Sequence, residues 1–106
     1  MKSIVTSLVA TTILTIAGSA MATEMPAVAK KNNCIACHAI DKKVVGPAWQ
    51  AVADKYKGDA GAADRLSAKI AKGGKGVWGS APMPPNPKVN EADMKELVSF
   101  VLGLAK

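Results

Sequence analysis

The chain has two cysteines and one histidine among its 106 residues, and all three fall in Cys34-Ile35-Ala36-Cys37-His38. A fold that concentrates every thiol and its one imidazole in five positions must be organised around that segment. Three chemistries use part of the pattern: a redox disulfide, a zinc centre and a covalently attached haem. A structural zinc centre takes four ligands, and the chain has too few Cys and His to supply them. A thioredoxin-like CxxC sits at a strand-to-helix junction, and the sequence shows no strand alternation. A bridge across CxxC closes almost no loop and would stabilise little. The full CxxCH matches c-type haem attachment: two thiols add across the vinyl groups and the adjacent histidine takes one axial position on iron. One turn of chain from Cys34 to Cys37 spans a porphyrin edge and carries His38 under the ring.

The compartment fits that chemistry. Lys2, the apolar run from Ile4 to Ala17 and the small residues Gly18-Ser19-Ala20-Met21-Ala22 read as a signal peptide. Cleavage is expected after Ala22, with Ala20 as the alternative. A membrane anchor is the competing reading, but its uninterrupted apolar run falls short of the roughly 20 residues a span needs. The expected domains are thus a removed leader, 1–22, and one small domain, 23–106. The domain stays basic, because the leader removes only one of 14 Lys and Arg against 8 acidic residues. So small a domain buries little surface, and such domains often depend on a staple.

The pattern along 23–106 is helical. Pro26 to Lys31 suits a short first helix ending at Asn32-Asn33. Gly46-Pro47 introduces a second, with Pro47 placed in its first turn and Trp49, Val52, Ala53 and Tyr56 on one apolar face. Gly58 ends it. A third runs from Ala62 to Lys72, with Leu66 and Ile70 on one side, and stops at Gly73-Gly74. Residues 73–89 read as loop. Asn90 then caps a last helix with Asp93 at its third position and Met94, Leu97, Val98, Val101 and Leu102 as its buried stripe. The expected fold is all-α: about four short helices wrapped around one haem.

A single histidine excludes bis-histidine ligation within one chain, so the sixth position falls to methionine, lysine, a small molecule or nothing. Met94 lies on an apolar stripe, where methionine fills core space. Met25 is nine residues before Cys34. Met83 stands in a loop stiffened by Pro82, Pro84, Pro85 and Pro87, with enough chain behind it to pass the haem edge and return. It is therefore the expected distal ligand.

CIACHAIDKKVVGPAW (34–49), followed by GVWGSAPMPPNP (76–87), resembles the small bacterial class I c-type cytochromes of the cytochrome c-551/c-552 group. CxxCH alone marks haem attachment; the VGP segment and the PMPPN loop narrow the likeness, which covers essentially all of 23–106. The resemblance implies thioethers at Cys34 and Cys37, His38 proximal and Met83 distal. It also implies that the Pro47 carbonyl accepts from the other His38 nitrogen. Asn86 would hydrogen-bond near the Met83 sulfur, and the Trp78 N–H and Lys69 would hold a haem propionate. Lys69 stands where the family often has arginine, so the bidentate grip is absent. Ser80 stands where a proline is common.

Two occupied axial positions leave no iron site for substrate, which describes a one-electron carrier and not an enzyme. An open-site peroxidase or gas sensor is the alternative, and would show high-spin iron. A thiol oxidoreductase would show free thiols and no colour. The GGKG run lacks the GxxxxGK[ST] phosphate-loop pattern. The expected protein is therefore a periplasmic, monomeric shuttle, with no nucleic-acid partner and no membrane span in its mature form. Its donor would be a quinol-oxidising complex and its acceptor a nitrogen-oxide reductase, a terminal oxidase or a peroxidase. Lys30-Lys31 and Lys42-Lys43 flank the attachment motif, with Ile35, Ala36, Val44 and Val45 between them and Ala81-Pro82 expected to approach from the methionine side. That arrangement suits brief docking to acidic partner surfaces.

Overall fold

Proline, asparagine and glycine set the element boundaries. The computed structural model describes residues 12–14 and 23–106. The expected leader, 1–22, lies outside the described residues except at 12–14. Helix α1 (Ala27–Lys31) starts after Pro26, whose φ of −68° and ψ of 154° make it the N-cap, and buries Val28 and Ala29. Asn33 follows at φ 59°, the one non-glycine residue at positive φ among the described residues. Asparagine tolerates the left-handed region better than most residues. The reversal there feeds directly into a 3₁₀ turn, Cys34–Ala36.

Helix α2 (Trp49–Lys55) begins later than the sequence suggests. Pro47 is not in its first turn, since Ala48 is the N-cap. The helix's first amides explain the offset. Trp49 N–H donates to the Ala39 carbonyl (2.9 Å) and Gln50 N–H to that of Ile40 (2.8 Å), so the segment after His38 caps α2. Helix α3 (Ala62–Lys72) matches the expected range and stops at Gly73, φ 70°. Asp59 fixes its start by accepting from Gly61 N–H at 2.9 Å and pairing with Arg65. Helix α4 (Glu91–Leu102) is capped by the Asn90 side chain, which accepts from Asp93 N–H at 2.8 Å. Among the described residues there is no strand, only isolated antiparallel bridges His38–Lys43 and Gly74–Met83. Nor is any described helix long and apolar enough to cross a membrane.

Helix α4 is the hub and packs on α1, α2 and α3. Its Leu97, 1% exposed, and Val101 join Val28, Ala29, Trp49 and Val52 in one cluster. Fully burying a side chain of this kind contributes about 2 kcal/mol. Phe100 meets Trp49 edge-on, ring centroids 5.9 Å apart. Met94 and Leu102, expected in the buried stripe, are only half-buried, as is Tyr56 at the end of α2. The apolar faces are narrow, so packing closes one side of α4 and leaves another for the site described below.

One polar latch joins the attachment segment to α4. The Asp93 carboxylate accepts from Lys31 Nζ (3.0 Å) and Asn32 Nδ2 (3.2 Å), while Asn32 also donates to the Val28 carbonyl. The hydrogen bond from Lys31, then that from Asn32, holds the Asp93 pKa below its ordinary 3.8. A folded pKa below the unfolded one stabilises above the unfolded value, and the contribution is lost as pH falls below it. Asp93→Asn should therefore lower the melting temperature at neutral pH and reduce the further loss on acidification below about pH 4. Thermal unfolding at neutral and acid pH measures both; identical pH profiles in the two proteins would remove the latch from the account.

Candidate functional site

The segment from Cys37 to Pro47 folds back on itself. The Cys37 carbonyl accepts from Val45 N–H (3.2 Å) and Gly46 N–H (2.8 Å), which draws Gly46-Pro47 against the His38 ring. His38 Nδ1 lies 2.8 Å from the Pro47 carbonyl oxygen. A carbonyl can only accept, so Nδ1 carries the proton and Nε2 keeps its lone pair for a metal. A Cβ on Gly46 would lie 2.5 Å from His38 Cε1, so only glycine lets the main chain pass this close. Trp49 packs beside the ring, centroids 5.8 Å apart.

Met83 is fixed through its main chain. Its N–H donates to the Gly74 carbonyl (2.7 Å) and its carbonyl accepts from Gly74 N–H (3.0 Å). Gly73 makes that approach possible, because its φ is positive and a Cβ there would run into the Met83 carbonyl. Asn86 anchors the far side of the loop. Its N–H and its side-chain amide both donate to the Ile70 carbonyl, at 3.0 and 3.2 Å, and the amide also reaches the Pro84 carbonyl. The amide thus holds the loop that carries Met83 onto α3.

Cys34, Cys37, His38, Pro47, Lys69, Trp78, Met83 and Asn86 all line one cleft of about 530 Å³, a volume ordinary for a cofactor site. Val52, Leu97, Val98 and Val101 form part of its wall. Met25 and Met94 do not line it. Cys34 and Cys37 are not joined in a disulfide, and burial pushes the Cys34 thiol above its ordinary pKa. Lys69 Nζ lies against Gly74, so close that a Cβ there would meet it at 2.5 Å. Trp78 is 39% exposed, with Lys55 Nζ 5.7 Å from its ring centre.

The sequence reading missed the electrostatics of this cleft. Arg65, Lys69, Lys72 and Lys75 line it, and among the described residues no Asp or Glu does. Three of them fall at i, i+4 and i+7 on α3, so a check of the cations for helical spacing would have found the strip. The donor set fits haem: two cysteines one turn apart and not bridged to each other, an imidazole with its outer nitrogen protonated, a thioether in the same cleft, apolar walls, and cations along one edge for two propionates.

Comparison with known proteins agrees with this fit. The cytochrome c family model matches residues 22–105. Cytochrome c-551 of Allochromatium vinosum is 50% identical over 93 residues, 88% of this chain and 97% of that protein. Cytochrome c-552 of Nitrosomonas europaea is 54% identical over 76 residues, 72% of this chain and 74% of that protein. The crystal structure of wild-type Nitrosomonas europaea cytochrome c552 superposes with a TM-score of 0.70 at 53% identity, covering 73% of this chain and 95% of that one. The chain belongs to the cytochrome c family: it is a small class I c-type cytochrome, an all-α electron carrier whose cofactor is covalently attached haem c.

Proposed function

We propose that the protein is a periplasmic one-electron shuttle with His38 and Met83 as the axial ligands of a haem held by thioethers to Cys34 and Cys37. One observation carries the ligand assignment: of the methionines in 23–106, Met83 alone shares the cleft with His38, and its main chain is clamped to Gly74. Bound between these residues, haem iron supplies the redox chemistry by exchanging one electron between its ferric and ferrous states. The chain's own residues do the rest. Pro47 holds His38 in one tautomer and orientation. Met83 offers a soft sulfur, which favours the reduced state. Trp78 and Lys69 hold a propionate, with Arg65 on the same edge. Asn86 acts on Met83 through the loop main chain. Held by both His38 and Met83, the iron would keep no site open to a substrate, which supports carriage and not catalysis.

Residues 1–22, read as a signal peptide, support a periplasmic location for the mature protein, and a carrier there would pass electrons from a quinol-oxidising donor to a terminal reductase, oxidase or peroxidase. Lys30 and Lys43 are exposed beside Ile35, Val44 and Val45, which are 47–50% exposed. An apolar patch with a basic rim suits short-lived encounters with acidic partners.

Two experiments test this reading. Met83→Ala should abolish the far-red methionine-to-ferric-iron band, lower the reduction potential and admit cyanide quickly, whereas Met25→Leu and Met94→Leu should change none of these. Loss of the band in Met94→Leu alone would reassign the ligand. For docking, the rate of electron transfer to an acidic partner should fall as salt shortens the Debye length from about 30 to about 10 Å. Lys30→Glu with Lys43→Glu should lower that on-rate with little change in potential. A rate indifferent to salt and to both changes would leave the basic rim without a role.

A further inference from the structure

The cation strip on α3 and the loop after it exceeds what a bound haem can neutralise. Haem brings two propionates, and the cleft faces them with four cations and, among the described residues, no carboxylate. Arg65 is already paired with Asp59, and Lys69 is half-buried against Gly74. Lys72 and Lys75 are exposed and have no ion-pair partner among the described residues. Directly after them, Val77 and Trp78 are 49% and 39% exposed. Gly76 N–H donates to the Gly79 carbonyl at 2.9 Å, closing the turn that presents both side chains. Lys55 Nζ lies 6.0 Å from the Tyr56 ring centre and 5.7 Å from that of Trp78, a contact that ties the turn to α2. Two large apolar side chains at a cleft mouth, fixed in place and edged by unpaired cations, make a surface of their own.

We infer that Lys72, Lys75, Val77 and Trp78 form a second docking surface, distinct from the one beside Cys34 and Cys37, for a redox protein that presents carboxylates. The inference rests on the haem reading above, because the surface borders the cleft assigned to that group. Charge complementarity selects the partner: among the described residues the only carboxylate paired on the strip is Asp59 at Arg65, so Lys72 and Lys75 stay free to steer an anionic face. Across it the reduced protein gives up one electron, with no bond made or broken and no proton moved. A carrier with two such surfaces exchanges electrons at either edge of the cleft, and a partner bound at one edge leaves the other open.

The test uses the haem-loaded protein with two anionic probes. Poly-L-glutamate, titrated at low ionic strength, should shift the backbone amide resonances of 72–78 as well as those of 42–45. Lys72→Glu with Lys75→Glu should remove the first set of shifts and leave the second. Hexacyanoferrate(III), which takes one electron to become hexacyanoferrate(II), should oxidise that variant several-fold more slowly than wild type. The deficit should disappear at high salt and exceed what the measured change in potential explains. The milder Lys72→Gln, Lys75→Gln pair should show a smaller effect of the same sign. Shifts confined to 42–45, or a slowing fully explained by potential, would overturn the second surface and assign both lysines to the propionates. A wild-type protein without attached haem would instead sink the underlying reading, and its colour reports that separately.

Discussion

Core and cleft share their walls, and the rest of the structure depends on that. Trp49, Val52, Leu97 and Val101 belong to the buried cluster and also line the cleft. Helices α1 and α2 have five and seven residues. Isolated helices shorter than roughly 12–15 residues are marginal in water, so these two exist through what they pack on. They pack on α4 from one side, and the same α4 residues face the cleft on another. Covalent haem therefore serves as the apolar filling of a core that the chain alone does not complete. A small domain needs such a staple, and the two cysteines proposed to hold it supply one.

Around that filling, main-chain hydrogen bonds hold the side chains that matter. The Pro47 carbonyl sets the His38 tautomer, and the Cys37 carbonyl brings Gly46-Pro47 into reach. The paired bonds between Gly74 and Met83 tie the methionine loop to the end of α3, with Asn86 binding the Ile70 carbonyl behind it. Each device depends on a glycine at the point of closest approach: Gly46 at the imidazole, Gly73 at the Met83 carbonyl. Proline in the loop limits the conformations Met83 can sample when the chain unfolds, so less entropy is lost in fixing it.

Much of this was legible in the sequence, for identifiable reasons. Asn90, Gly73 and Pro26 are strong local punctuation, and the ends of α3 and the start of α4 fall where they say. The apolar stripe found Leu97, Val98 and Val101 because helical period is a local property. What escaped depends on distant partners. The late start of α2 follows from carbonyls at Ala39 and Ile40, which no pattern around Pro47 reveals. Asn33 in the left-handed region and the 3₁₀ turn after it reverse the chain against α1, a packing that helical periodicity does not register. The bonds from the Asn86 amide to the Ile70 and Pro84 carbonyls also join residues that no local pattern pairs. The cation strip was readable from spacing but was passed over in favour of the lysines beside the CxxCH.

Thermal unfolding followed by far-ultraviolet circular dichroism tests the shared core and cleft most directly. The haem-loaded protein should be compared with a Cys34→Ala, Cys37→Ala protein purified without the group. The account predicts a cooperative transition in the loaded protein, and weak helicity with no cooperative transition in the variant. A variant that keeps its helicity and unfolds cooperatively near the wild-type temperature would show that the helices complete their core unaided, and would contradict it.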